Sequence, residues 1–323
     1  MATTETGSHP TQDDVSAQSA QSAQSLIVTE PAGEQPKTAD SADPGAIAEA
    51  QLAGGGKPVR KIHWWFEILL GVVGYYVYAE ARELHGLHPN AQKALATRHG
   101  KDLFNFEKWL HIDWEKGLQH NLLPYKGFLQ VVGGFYGGAH FVVTIGVLLW
   151  LLFKRPQFYR FWRTVLFVLT MAAVGIFALY PAEPPRTLKD ASGHPITVDT
   201  LSKIGGLWNY NHGVVEHISD PFAPMPSLHL GWATWVALAL WFTLPARSWR
   251  RRLAIGLYPL AVYFTVIVTG THFVIDGVAG MALTSVVVVV SAHVVLWGRR
   301  RRLLRSGDPS SSGLTQAAEA PKD

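Results

Sequence analysis

The chain has 323 residues, a net charge of +4, 48% hydrophobic residues and 12 Trp. With its positive mean hydropathy, this composition fits a polytopic membrane protein better than the two soluble domains that length alone would suggest. It contains no cysteine, which excludes disulfides, thiolate metal sites and a cysteine nucleophile. The basic residues sit beside apolar runs and read as topology signals rather than as a nucleic-acid surface.

Residues 1–56 are rich in Ala, Ser, Thr, Gln, Gly and Pro and include the triplet repeat "SAQSAQSAQS". They cannot bury enough apolar surface to offset ordering entropy, so a disordered tail is expected. The segment lacks the basic start and apolar stretch of a signal peptide. A membrane-embedded domain is expected over residues 57–305, with a second disordered tail at 306–323.

Apolar runs near bilayer-spanning length recur at about 62–80, 127–153, 160–180, 227–244, 253–271 and 274–297. The expected fold is therefore all-α, a bundle of six transmembrane helices. Between the first two runs, residues 81–126 place Phe104, Trp109, Ile112 and Leu118 among charges, the pattern of short interfacial helices. Basic residues cluster at Lys57/Arg60/Lys61, at Lys154/Arg155/Arg160/Arg163, at Arg247 and Arg250–Arg252, and at "RRRR" 299–302. In a six-span alternation all four clusters fall on one side, which the positive-inside rule makes cytoplasmic. Both termini are then inside, most simply at a plasma membrane.

Three polar stretches meet at the opposite face: "YPAEPPRTL" (180–188), "MPSLH" (225–229) and "GTHFVIDGVAG" (270–280). His272 and Asp276 are four residues apart at a helix start, so they share a face, and the carboxylate can orient the imidazole. A histidine held in this way can attack phosphorus. Arg186 supplies a planar fork for phosphate oxygens, Ser227 a hydroxyl, and the start of the fourth span free N–H groups. His229 is placed to protonate a leaving oxygen. Asp276 and Glu67 are among the few acidic residues near or within a span, where an ionisable group is functional by default. His63, His85, His88, His99, His111 and His120 read as interfacial or hydrogen-bonded residues. His140 and His293 read as core histidines, although His140 in "FYGGAH" could also line the site.

"PPR" (184–186), "PSLH" (226–229) and "THFVID" (271–276) together resemble the type 2 phosphatidic acid phosphatase superfamily. Its three motifs have the forms K-x6-R-P, P-S-G-H and S-R-x5-H-x3-D. The similarity spans roughly residues 62–297, and the closer likeness is to the inositol phosphorylceramide synthase-like branch. The resemblance implies that His272 is the nucleophile that becomes phosphohistidine. It further implies that Asp276 orients His272, that His229 is the general acid, and that Arg186 and Ser227 contact phosphate. Leu179, Leu228 and Val266 stand where the superfamily has lysine, glycine and arginine. Lys189, Lys203, His212 and His217 are candidates to supply the missing charge, although solvated loop residues are the ordinary reading of each.

The implied substrate is a lipid phosphate or phospholipid, with water or a small alcohol such as inositol as acceptor, and no metal or other cofactor. No HExxH, Walker loop or carboxylate cluster is present. After "DG" at 276–277 no acidic residue follows until Asp308, which argues against a CDP-alcohol phosphatidyltransferase, and no GxSG marks an intramembrane protease. The alternative from another class is a non-catalytic transporter or scaffold, which would place its polar residues near the bilayer midplane.

Overall fold

The computed structural model describes residues 89–204, 225–245 and 248–306, with Trp65, Leu69, Val73, Gly74 and Tyr76 before them. The two tails, most of the first expected span (62–80) and the stretch with His212 and His217 lie outside the described residues. Those residues form eight helices and no strand. They are α1 (Pro89–Leu110), α2 (Glu115–Leu122), α3 (Lys126–Lys154), α4 (Pro156–Leu179), α5 (Thr200–Lys203), α6 (Leu228–Thr243), α7 (Trp249–Val268) and α8 (Val274–Ser306).

Four of them, α3, α4, α7 and α8, are long and apolar enough to cross a membrane. The fifth apolar helix, α6, has only 16 residues. Of the six spans expected, the described residues hold four full-length helices and one shorter one. The described part of the 81–126 stretch, residues 89–126, departs further from expectation. Instead of several short interfacial helices it holds a 22-residue helix and an eight-residue one. Two of its glutamates, Glu107 and Glu115, turn inward and are buried.

α3 shows how an all-apolar helix is sorted into two faces. Leu129, Val132, Gly133, His140, Thr144, Val147 and Leu151 are buried, at the spacing of one helical stripe. Val131, Phe141, Val142, Ile145 and Phe153 on other faces are exposed, as lipid-facing residues must be. Pro156 opens α4 one residue after Arg155 ends α3; proline suits a first turn, whose N–H has no helical partner.

Trp162, Trp235, Val165, Leu169 and Leu151 form the core toward the basic helix ends, and the Trp235 indole donates to the Trp162 carbonyl at 2.9 Å. α6 and α8 meet through small residues. The Thr284 hydroxyl bonds the carbonyls of both Gly231 and Gly280 at 3.0 Å. A Cβ on Gly280 would collide with the Ser227 carbonyl oxygen, so only glycine allows this approach.

α4 and α7 begin among basic residues and end at the site; α6 and α8 begin at the site and run to basic residues. The site thus lies at the helix ends opposite the arginine clusters. Another core, of Leu103, Ala182, Leu188, Ile196 and Phe273, joins α1 and the 181–199 loop to the start of α8. The Glu183 N–H bond to the Ala96 carbonyl, the His99 bond to the Pro181 carbonyl and the stacking of His99 on Tyr180 fasten the loop to α1.

Candidate active site

α7 ends in a tight reversal. Gly270 adopts φ 68°, a conformation that side-chain-bearing residues rarely take. Thr269 and Thr271 hydroxyls bond back to the carbonyls of Thr265 and Val266, satisfying the last turn of α7, and bond each other at 3.0 Å. The next residue is His272.

His272 and Asp276 are 3% and 0% exposed. Nδ1 of His272 lies 3.2 Å from Oδ2 of Asp276, and the same oxygen accepts the Phe273 N–H at 3.0 Å. Nδ1–H donation to the carboxylate leaves the lone pair on Nε2. Asp276 therefore fixes one tautomer and also caps the turn that opens α8.

The start of α6 is tied to the same place, since the Ser227 N–H donates to the Asp276 carbonyl at 2.9 Å. Ser227 is fully buried, yet its hydroxyl has no hydrogen-bond partner. At the second residue of α6, His229 has its ring 5.5 Å from that of His272, edge-on. The other side of His229 is filled from α3, with Tyr136 stacked at 4.6 Å and His140 at 4.4 Å. Nδ1 of His140 bonds the Tyr136 carbonyl, and the Tyr136 hydroxyl faces Thr271.

The 181–199 loop brings the cation. The Arg186 backbone N–H donates to the Gly270 carbonyl at 3.1 Å, while its guanidinium lies 3.9 Å from Asp199. Nε of Arg186 has no partner, nor has the Thr197 hydroxyl, which packs against the position of Gly270 beside Arg186. Gln119 secures this loop. It donates to the carbonyls of Val198 and Val268 and accepts the Val198 N–H, using its whole amide on backbone.

The structure thus gathers His229, His272, Asp276 and Ser227 directly, and brings Arg186 in through its bond to Gly270. Lys189 is exposed on the loop and Lys203 is exposed at the end of α5. His293 is satisfied by the Val289 carbonyl, away from the site. His140, open to two readings in the sequence, satisfies one ring nitrogen within its helix and packs against His229. Sequence reasoning does not single out Tyr136, Thr197, Gln119, Glu107 or Glu115. Among the described residues, no three His, Asp or Glu side chains are grouped as a metal site requires.

Paired polar atoms left without partners in a buried setting are costly unless a ligand satisfies them. Here one hydroxyl and one guanidinium N–H lie near an oriented imidazole, an arrangement suited to an anion under nucleophilic attack. The class is thus a membrane-helix protein with a buried histidine–aspartate pair. A family model for the PAP2 superfamily matches residues 101–290, more than half of the chain, and the chain belongs to that superfamily. Its members are generally phosphatases, which makes a lipid-phosphatase type of enzyme the coarse assignment. Neither the curated proteins nor the solved structures provide a match.

Proposed function

We propose that the protein is an integral-membrane phosphatase or phosphotransferase acting on a lipid phosphate or phosphodiester through a phosphohistidine on His272. The observation that carries this reading is the buried His272–Asp276 pair at 3.2 Å with the His229 ring 5.5 Å away. Nε2 of His272 attacks phosphorus as the P–O bond to the leaving group breaks. His229 gives that oxygen a proton. Asp276 balances the positive charge that develops on the imidazole. Water or an alcohol then attacks the phosphohistidine, cleaves P–N and returns a proton to His229. Arg186 and Ser227 hold the non-bridging oxygens, which is what their unpartnered Nε and Oγ support.

The inositol phosphorylceramide synthase-like motif pattern, with Leu228 and Val266 in place of glycine and arginine, supports transfer to inositol or a related alcohol as the physiological outcome. The basic clusters at the far helix ends support a plasma-membrane placement with the termini in the cytoplasm and the site facing outside.

The test uses purified protein with lipid phosphates and phosphoinositides, with and without free inositol, following both released phosphate and new phospho-alcohol products. His272→Ala should abolish turnover, and His229→Ala should reduce it about 10²–10⁴-fold, the usual value of general acid help. An inositol-dependent product identifies a transferase; phosphate release alone identifies a phosphatase. Equal turnover by His272→Ala and wild type would eliminate the phosphohistidine route, whereas no turnover by either would favour a non-catalytic transporter or scaffold.

A further inference from the structure

The first turn of α8 carries Asp276 and follows directly on His272, so its placement sets the geometry of both. Three N–H groups in succession here are taken by carboxylates. Phe273 donates to Asp276 at 3.0 Å, Val274 to Glu115 at 2.9 Å, and Ile275 to Glu107 at 2.7 Å. Glu107 belongs to α1 and Glu115 to α2, more than 150 residues earlier in the chain. Both are buried, at 0% and 1% exposure. Neither forms an ion pair with a lysine or arginine among the described residues. The second oxygen of Glu107 has no hydrogen-bond partner, and the Glu107 carboxyl lies against that of Glu115.

We infer that Glu107 and Glu115 are positioning residues for the His272–Asp276 pair, a carboxyl–carboxylate clamp that holds the opening turn of α8 by its backbone. Two buried carboxylates in contact repel each other, so a single proton between them lets both stay and each still accept one N–H. The charge that remains sits at a helix N-terminus, where the dipole favours it. Because three N–H groups of this turn are already taken, an anionic substrate finds its donors on Arg186, Ser227 and the start of α6 instead. The inference rests on the proposed role of His272 for its catalytic meaning, but the clamp itself is a feature of the fold.

Burial and the neighbouring Glu115 push the Glu107 carboxyl up to about 10, and burial raises Glu115 as well. The charged and titratable groups facing the pair are Asp276 on α8, Asp113 in the α1–α2 turn and Tyr263 on α7, whose hydroxyl bonds the Val274 carbonyl. The two aspartates add to the upward shift. A carboxyl with a raised pKa contributes stability that is complete below the ordinary carboxylate range. That stability is lost as pH climbs toward 10. The clamp therefore weakens on the alkaline side.

Glu107→Gln keeps the clamp and removes its proton: the amide carbonyl accepts from Ile275 and the NH2 donates to Glu115. Glu107→Ala breaks it. The expected results are turnover by Glu107→Gln within about threefold of wild type at pH 7, and about a 10²-fold lower kcat in Glu107→Ala with little change in KM, the scale of a displaced reacting group. Between pH 8 and 10 wild type should lose melting temperature and turnover, while Glu107→Gln holds both further into that range. If Glu107→Gln is as impaired as Glu107→Ala, or if its alkaline limb coincides with that of wild type, the clamp is overturned. Melting temperature against pH reads the clamp without turnover. Should His272→Ala remain active while Glu107→Gln still flattens the melting profile, the functional reading fails and the clamp stands.

Discussion

Ser227 opens α6 with no side-chain capping bond, although serine is a preferred capping residue. Its hydroxyl is buried without a partner, so removing it should not destabilise the fold and removes a buried orphan. Ser227→Ala should therefore melt within about 0.5 kcal/mol of wild type. Turnover should nevertheless fall by up to about 10²–10³-fold, the range for losing one donor to a developing oxyanion. A variant that melted much lower, with turnover reduced in proportion to folded protein, would assign the hydroxyl to stability instead. Arg186 differs because two constraints meet in it. Its backbone is held to Gly270 while its guanidinium is only loosely paired with Asp199 at 3.9 Å, which leaves the fork free to swing onto an anion.

Among the elements, the α6–α8 contact holds the nucleophile turn and the general acid in fixed relation. Gly280→Ala would place a methyl group on the Ser227 carbonyl, which already accepts the Gly231 N–H. Relief requires α6 to move from α8, at a cost of about 1–3 kcal/mol, as overpacking generally does. The expected result is a lower melting temperature together with a kcat loss larger than the loss of folded protein, since His229 and His272 ride on the separating helices. Gly298→Ala, where a Cβ meets nothing within 4 Å, is the control and should leave both unchanged.

The helix ends in the apolar runs were legible from composition, since a run read at 127–153 is α3 at 126–154 and one read at 227–244 is α6 at 228–243. The catalytic candidates were legible because His229, His272 and Asp276 interrupt apolar sequence, where polarity needs a reason. Glu107 and Glu115 were not, because acidic residues in a charge-rich amphipathic stretch look solvated. Only a tertiary contact with backbone more than 150 residues away reveals their burial. Tyr136 on α3 was hidden by the same logic, as tyrosine is ordinary on a membrane helix.

For the molecule as a whole, the helix directions place every basic cluster among the described residues opposite the site. The absence of native cysteine makes this arrangement directly testable. Single cysteines at Ser192, exposed on the 181–199 loop, and at Arg300, exposed near the end of α8, report the two faces. In intact cells an impermeant maleimide should label Ser192→Cys, and Arg300→Cys only after the membrane is opened. The reverse pattern would put the site in the cytoplasm.

The shortness of α6 bears on which acceptor wins. At 16 residues α6 is about 24 Å long, against roughly 30 Å of hydrocarbon in a bilayer. His140, which packs on His229 at the start of α6, lies midway along α3, which is about 44 Å long, so α3 continues well past the start of α6. Ser227 and His229 are thus set back from the near end of α3 rather than level with it. Under the proposed mechanism, the balance between hydrolysis and transfer would then depend on how readily water reaches that depth, and the same residues placed one helical turn higher would make a better hydrolase.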